Sequence, residues 1–325
     1  MGQKLIAQTD CSNQLRLAQR LFDDGLLEEI PQLLQSCLIT GFTKEEKIAA
    51  YKMIVQVYLF TNAMEQADEE MLRFLREFPS YRVSPGDPSE FVNLHSTYRT
   101  EPVLQIETFA GASFSHPYII ERFGVESLRN ESGEYSSLPG VYLGASYTRN
   151  LSRLFVADIG ISLAMLRTAY SNALFPHTSI SANLSDFHLG IPLSVRYNYP
   201  LQGFVPFLKG GVEPTYLLYS SANITRSFTT GADPITGTVN LTANHKRFDV
   251  KPFLGVGVEF SFGNTTLIAN AGFRMGTIVP TQRELIYSNP ATIERYYFVE
   301  DRWIANQTYI TISYIFSIYN PVKIK

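Results

Sequence analysis

Between Leu104 and Ile318 eight successive stretches alternate apolar with polar or small residues at period two, the spacing that puts neighbouring side chains on opposite faces of a β-strand. In the most regular, 187–199, Phe187, Leu189, Ile191, Leu193, Val195, Tyr197 and Tyr199 share one face, and His188, Gly190, Pro192, Ser194, Arg196 and Asn198 share the other. At 252–262, Leu254, Val256, Val258 and Phe260 oppose Phe253, Gly255, Gly257 and Glu259. At 266–276, Leu267, Ala269, Ala271 and Phe273 oppose Thr266, Asn270, Gly272 and Arg274. One face of each suits hydrocarbon and the other suits water or charge.

Soluble sandwiches also alternate, so the connections decide the reading. Arg149–Ser152, Tyr199–Gly203 and Phe262–Thr265 are tight links containing Asn, Gly or Pro, whereas 116–137, 167–185, 219–248 and 280–301 read as long polar loops. Long and short strictly alternate, beginning with long. That is the arrangement of a bacterial outer-membrane barrel, with short periplasmic turns and long extracellular loops. It predicts an eight-stranded antiparallel transmembrane β-barrel over 101–325, with both termini and everything before the barrel in the periplasm.

Before Leu104 the apolar period changes to about 3.6. Leu15, Ala18, Leu21 and Phe22 share a helical face stopped by Gly25, and Ile30, Leu33, Leu34, Cys37 and Leu38 share another over 27–39. Thr43 with Glu46 makes a capping box for a third helix carrying Tyr51, Ile54, Val55 and Tyr58. A fourth spans 64–78 with Ala67, Met71, Phe74 and Leu75 inward and Glu65–Glu70 outward. Asp87 reads as an N-cap, with Pro88 at the first helical position, for a fifth that ends near Tyr98. Aligning Gly25, Ile30, Leu34 and Cys37 with Asn62, Ala67, Met71 and Phe74 gives a period of about 37 residues, similar to tetratricopeptide (TPR) repeats, with Pro79 as closing proline. A compact bundle is the alternative. The expected fold class is α+β multidomain: a flexible N-terminus over 1–10, a small all-α, TPR-like domain over 11–100, then the barrel. The helical domain is expected to dock on the barrel mouth or on a partner.

Composition adds a little. Of 325 residues 13% are aromatic, including 19 Tyr, which suits interfacial girdles, and a net charge of −3 gives no reason to expect nucleic acid. The opening MGQKLIAQTD is too short and polar for a signal peptide, so an export signal is expected outside this sequence. Cys11 and Cys37 could be two buried thiols or a disulfide in an oxidising compartment, and zinc would need more ligands.

Strand parity assigns Glu107, Asp158, Glu213 and Glu259 to the barrel interior with Arg196, Lys209, Lys251 and Arg274, four of each sign. Eight strands enclose room only for side chains, so these groups are expected to pair as a charge network and close the lumen. Inward glycines such as Gly190, Gly255 and Gly272 are expected to leave room for the long Arg and Lys chains. His116, His177 and His245 fall in the expected loops with no Ser or Asp pattern beside them, and His188 is assigned to the internal network. No phosphate-binding loop and no metal-spaced His or Cys set is present in the sequence. Catalytic, cofactor-binding and metal residues are therefore assigned as none.

The chain resembles the outer-membrane β-barrel proteins of the Bacteroidetes called PorT-like, in particular members with a helical periplasmic extension. GFTKEEKIAAYKMIVQVYLF (41–60), DPSEFVNL (87–94), the junction at 98–102, DFHLGIPLSVRYNY (186–199) and KPFLGVGVEFSF (251–262) carry the resemblance. It implies an outer-membrane location and a role in envelope biogenesis or secretion, and transfers no catalytic residue. Two functions follow as expectations. One is a non-enzymatic barrel that contacts outer-membrane lipid and anchors a helical domain binding another envelope protein. The other is a small channel or ligand-binding barrel with the helices as plug or brace.

Overall fold

The computed structural model describes residues 2–81, 83–125, 133–152, 154–174, 177–262 and 265–324. It divides into two compact units, one of residues 1–103 with 318–325 and one of residues 104–317.

The first unit contains α1 (Gly2–Asp23), α2 (Ile30–Ile39), α3 (Lys44–Phe60), α4 (Met64–Glu77) and α5 (Ser89–Ser96). Helix α1 begins at Gly2, within the segment 1–10 read from the sequence as a flexible N-terminus. Thr43 and Glu46 close a reciprocal capping box at the start of α3. Helices α1 and α3 end alike. Gly25 (φ 78°) and Asn62 (φ 59°) take the left-handed conformation, and the next amide bonds five residues back, Leu26 to Leu21 and Ala63 to Tyr58. Gly and Asn tolerate that backbone best. A disulfide joins Cys11 on α1 to Cys37 on α2.

The core centres on Phe74, whose ring lies within 5.8 Å of those of Tyr51, Phe78, Tyr81 and Phe91. Three residues differ from the sequence reading. Glu70, expected outward, is buried and paired with Arg73 at 2.7 Å, because it falls on the same stripe as Ala67 and Phe74. Asp87 caps no helix. It accepts hydrogen bonds from Lys52, Tyr81 and the Ser84 amide, and α5 starts after Pro88 without a side-chain cap. Nor does α5 reach Tyr98, which opens strand β1 (Tyr98–Arg99). Its partner is β12 (Val322–Lys323), so the end of the chain belongs to this unit. Asp68 on α4 accepts hydrogen bonds from both Tyr98 and Lys323.

The second unit is built from β2 (Pro102–Glu121), β3 (Glu134–Asn150), β4 (Phe155–Leu174), β5 (Thr178–Gly190), β6 (Leu193–Asn198), β7 (Val205–Phe228), β8 (Ile235–Asn240), β9 (Phe248–Phe262), β10 (Thr265–Arg274) and β11 (Arg302–Tyr319). Staves adjacent in sequence pair antiparallel, and β2 pairs with β11, which closes the ring. Strands β5 and β6 form one stave interrupted at Pro192, which has no N–H to donate; its carbonyl still accepts from Gly160. With β8 attached only to β7, the ring is an eight-stranded barrel.

Outward side chains form an apolar belt from Val103 to Ile318, with Leu193, Leu254, Val256 and Ile312 all exposed. Exposed rings flank it. Phe155, Tyr197, Phe204, Phe262 and Phe316 lie toward the tight turns, and Phe187, Tyr216, Tyr219, Phe248 and Phe273 toward the other end. A barrel whose backbone bonds close on themselves, with an apolar exterior between two aromatic girdles, is suited to cross a bilayer.

The expected loops shrink. Segment 167–185 is almost wholly strand, with β4 running to Leu174 and β5 starting at Thr178, and β7 carries 219–228. The alternation continues there but its sense reverses. Tyr170, Ile180, Ala182, Leu184, Ala222 and Ile224 are buried inside, and Ser181, Asn183 and Asn223 face out. Beyond the belt the outside is water, so the polar set turns outward.

Leu193 is exposed on the belt and Ser194 is buried inside. Leu193→Arg should destabilise the membrane-inserted barrel by about 2–4 kcal/mol, measured by urea titration in vesicles. Ser194→Arg should instead disturb the internal pairing of Asp158, and equal tolerance of both changes would refute the register.

Candidate functional site

The barrel interior is filled in layers, each set by inward positions of different strands. At the tight-turn end Phe207, Ile268 and Ile315 form an apolar floor. Above it Arg196, 1% exposed, stacks 5.0 Å from the Phe207 ring and reaches Glu107 and Asp158 at 3.0 Å and Glu259 at 3.8 Å. Lys209 approaches Asp158 at 3.3 Å, and Thr148 and Ser194 donate to the same carboxylate.

In the next layer Arg274 lies between the rings of Tyr142 (3.8 Å) and Tyr309 (4.0 Å), and its Nε meets Glu213 at 2.7 Å. Such a double cation–π stack is strengthened by exclusion of water. Ser162 also donates to Glu213. Lys251 is buried directly across the β7–β9 pair from Glu213. The eight charges assigned from parity thus gather in two groups, around Arg196 and around Arg274. The inward glycines make room for different neighbours than expected. A Cβ at Gly190 would collide with a Glu213 oxygen, and one at Gly272 would collide with the Tyr309 hydroxyl.

Toward the long-loop end His188 and Asp186 face inward, followed by a buried clasp absent from the sequence reading. His245 Nε2 lies 2.7 Å from Glu300, whose other oxygen accepts from Trp303 Nε1 at 3.2 Å. Segment 244–246 pairs with 280–282 through Lys246 to Pro280, Gln282 to Asn244 and the bridge His245–Thr281. A second apolar core, with Trp303, Phe298 and Tyr296 packed on Ile180, Leu184 and Ile224, then closes this end. His245 and Glu300 are 55 residues apart in sequence, and no local spacing could have joined them.

Of the remaining histidines, His116 lies on β2, not in a loop, beside Thr308 at 2.9 Å. His177 contacts Thr229 at 3.5 Å. Burial pushes the His245 ring toward the neutral form, but the charge and hydrogen bond of Glu300 outweigh it and hold its pKa up at about 9.

Three internal cavities measure about 20, 10 and 30 Å³. Each has room for one or two waters. In the helical unit a larger groove of about 390 Å³ runs between α2, α3 and α4, with Leu38, Tyr51, Ile54 and Tyr58 inside and Lys47, Glu70, Arg73 and Glu77 on its rim.

No family model matches the sequence, and no curated protein matches it. Among solved structures the fold is similar to the outer membrane protein OprG from Pseudomonas aeruginosa, at 11% identity and TM-score 0.36, covering 66% of this chain and 97% of that one. Similarity extends to a major outer membrane protein from Thermus thermophilus, at 11% identity and TM-score 0.34, covering 66% and 100%. The Neisserial surface protein A matches at 12% identity and TM-score 0.31, covering 65% and 95%. Likenesses this loose carry no functional argument, and the barrel assignment rests on the strand pairing itself.

Two outcomes follow. Arg196→Ala removes the guanidinium shared by Glu107, Asp158 and Glu259 and should cost about 3–5 kcal/mol, while Arg196→Ala combined with Glu107→Gln and Asp158→Asn should recover part of it, read by denaturant titration in vesicles. For His245, a folded-state pKa above the ordinary ~6.5 means that the contribution of its ion pair is complete below that pH and is lost as pH climbs through about 9. Emission from Trp303, the single tryptophan, should shift with a midpoint near pH 9, and His245→Gln should abolish that titration.

Proposed function

We propose that this chain is a non-enzymatic bacterial outer-membrane barrel that anchors a periplasmic helical interaction domain, as a component of envelope biogenesis or of a secretion or assembly machinery. The filled lumen carries this reading. Paired charges, stacked rings and two apolar layers occupy the described interior, and the cavities among them measure about 10 to 30 Å³, so the barrel serves best as a support. The belt and girdles favour a bilayer, and the eight-stranded closure favours the outer membrane. Short turns at the end where the chain enters and leaves the barrel argue for helices in the periplasm, an oxidising compartment in keeping with the Cys11–Cys37 bond.

The helical unit then supplies the interaction. Its paired turns at Gly25 and Asn62, one period apart, support a TPR-like repeat. The resemblance to PorT-like barrels of the Bacteroidetes points toward the same kind of role. A small channel or loop-binding barrel is the competing reading.

Bilayer recordings of the intact chain should show no steady large conductance, and a stable open pore would overturn the anchor. A variant lacking residues 11–96 should still insert and keep heat-modifiable migration on a gel, because the barrel's backbone bonds are satisfied within the ring. It should fail to complement a deletion strain. Full complementation would reduce the helices to a brace.

A further inference from the structure

Beyond the girdle rings Phe187 and Tyr219, strands β4, β5, β7 and β8 continue past the apolar belt. From Ala169 to Ala173, Ser179 to Ser185, Ser221 to Ser227 and Thr236 to Asn240, every outward position on these strands is Ser, Thr, Asn or Ala. Register sets them side by side. Asn183, Asn223 and Thr238 stand across from one another, as do Ser181, Thr225 and Thr236. The hydroxyls of Thr225 and Thr236 meet at 3.2 Å. The result is a four-strand grid of neutral donors and acceptors, spaced about 4.8 Å across the strands and about 7 Å along them.

The chemistry of the grid narrows what it meets. A face turned only to water ordinarily carries charge at about a quarter of its positions, and none of these is charged. A face built for a protein partner centres on large aromatic or arginine anchors, and the longest side chain in the grid is Asn. Hydroxyls and amides that donate and accept without charge match instead the hydroxyl-covered rings of a sugar. Arg167 stands outward at the foot of the grid, opposite Ser185 and one outward position beyond Met165 and Phe187. A cation so close to the girdle rings is placed for a lipid phosphate. The grid also continues the lipid-facing belt on the same strands, below which Leu163, Phe187 and Leu189 are exposed. Its neighbour is therefore the head region of the leaflet around the barrel.

We infer that the outward face of β4, β5, β7 and β8, with Arg167 at its foot, binds the phosphorylated sugar headgroup of a glycolipid in the leaflet on the side away from the tight turns. The phosphate lies against Arg167, and the sugars lie along the rows of Asn183 with Asn223 and of Ser181 with Thr225. This rests on the proposed placement of the barrel in the outer membrane, and not on the role given to the helices.

The test uses the full chain in detergent micelles that hold equal amounts of a short-core lipopolysaccharide and of phosphatidylglycerol, with retained lipid read by native mass spectrometry. The lipopolysaccharide should be retained about tenfold in preference. Asn183→Ala combined with Asn223→Ala should erase most of that preference. Arg167→Gln should weaken retention of the lipopolysaccharide by a similar factor, whereas Arg283→Gln, which removes an exposed cation outside the grid, should leave it unchanged. These side chains are outward or exposed, so each variant should keep heat-modifiable migration on a gel.

Equal retention of the two lipids by the unmodified chain, or a preference that survives loss of both asparagines, overturns the inference. Displacement of the lipopolysaccharide by its core oligosaccharide cut free of the lipid also overturns it, because the face would then serve a soluble glycan. If lipid selectivity fails while the intact chain remains closed in bilayer recordings and the variant lacking residues 11–96 loses the cellular role, the glycolipid face falls and the anchor stands. If the truncated barrel complements fully yet keeps its lipid selectivity, the anchor falls and the face stands.

Discussion

Closure of β2 onto β11 is the constraint on which the rest of the barrel depends. Once the ring is shut every stave has a paired neighbour on each side, but shutting it with only eight strands leaves an interior one side chain deep. Whatever points inward has to be satisfied there. Arg196 and Arg274 meet that demand differently, the first with three carboxylates and the second with one carboxylate and two tyrosine rings. Both are too enclosed to be replaced singly at little cost.

Most of the membrane-facing barrel is legible in the chain because each stave within the belt keeps one rule, apolar out and small or polar in. Stretch 187–199 follows it residue by residue, and the interior charges fall on the inward parity. The rule fails where the surroundings change. Above Phe187 and Tyr219 the same strands continue with the opposite sense, so Ile180, Leu184 and Ile224 turn inward and a region that reads as loops is a packed extension of the sheet. The outer medium sets the sense of an alternation, and a sequence does not state where the medium changes.

Contacts between distant segments are illegible for another reason. The clasp of His245 with Glu300 and Trp303, and the sandwich of Arg274 between Tyr142 and Tyr309, join residues with no common periodicity. Asp87 shows the same limit at short range. The sequence Asp-Pro-Ser-Glu has the composition of a helix start, yet Lys52, Tyr81 and the Ser84 amide engage the carboxylate. The Thr43–Glu46 box is readable because both of its partners lie within one turn.

The pairing of β1 with β12 makes the helical unit discontinuous in the chain. The helices are made before the barrel, but Tyr98 and Arg99 have no strand to meet, and Asp68 lacks Lys323, until synthesis has passed through the barrel. In the sequence, the whole barrel lies between the two parts of that unit. The surface carried by the helices is therefore finished only once the segment beyond the barrel has been made, and a chain broken off within the barrel would carry the helices without the ribbon that fastens them.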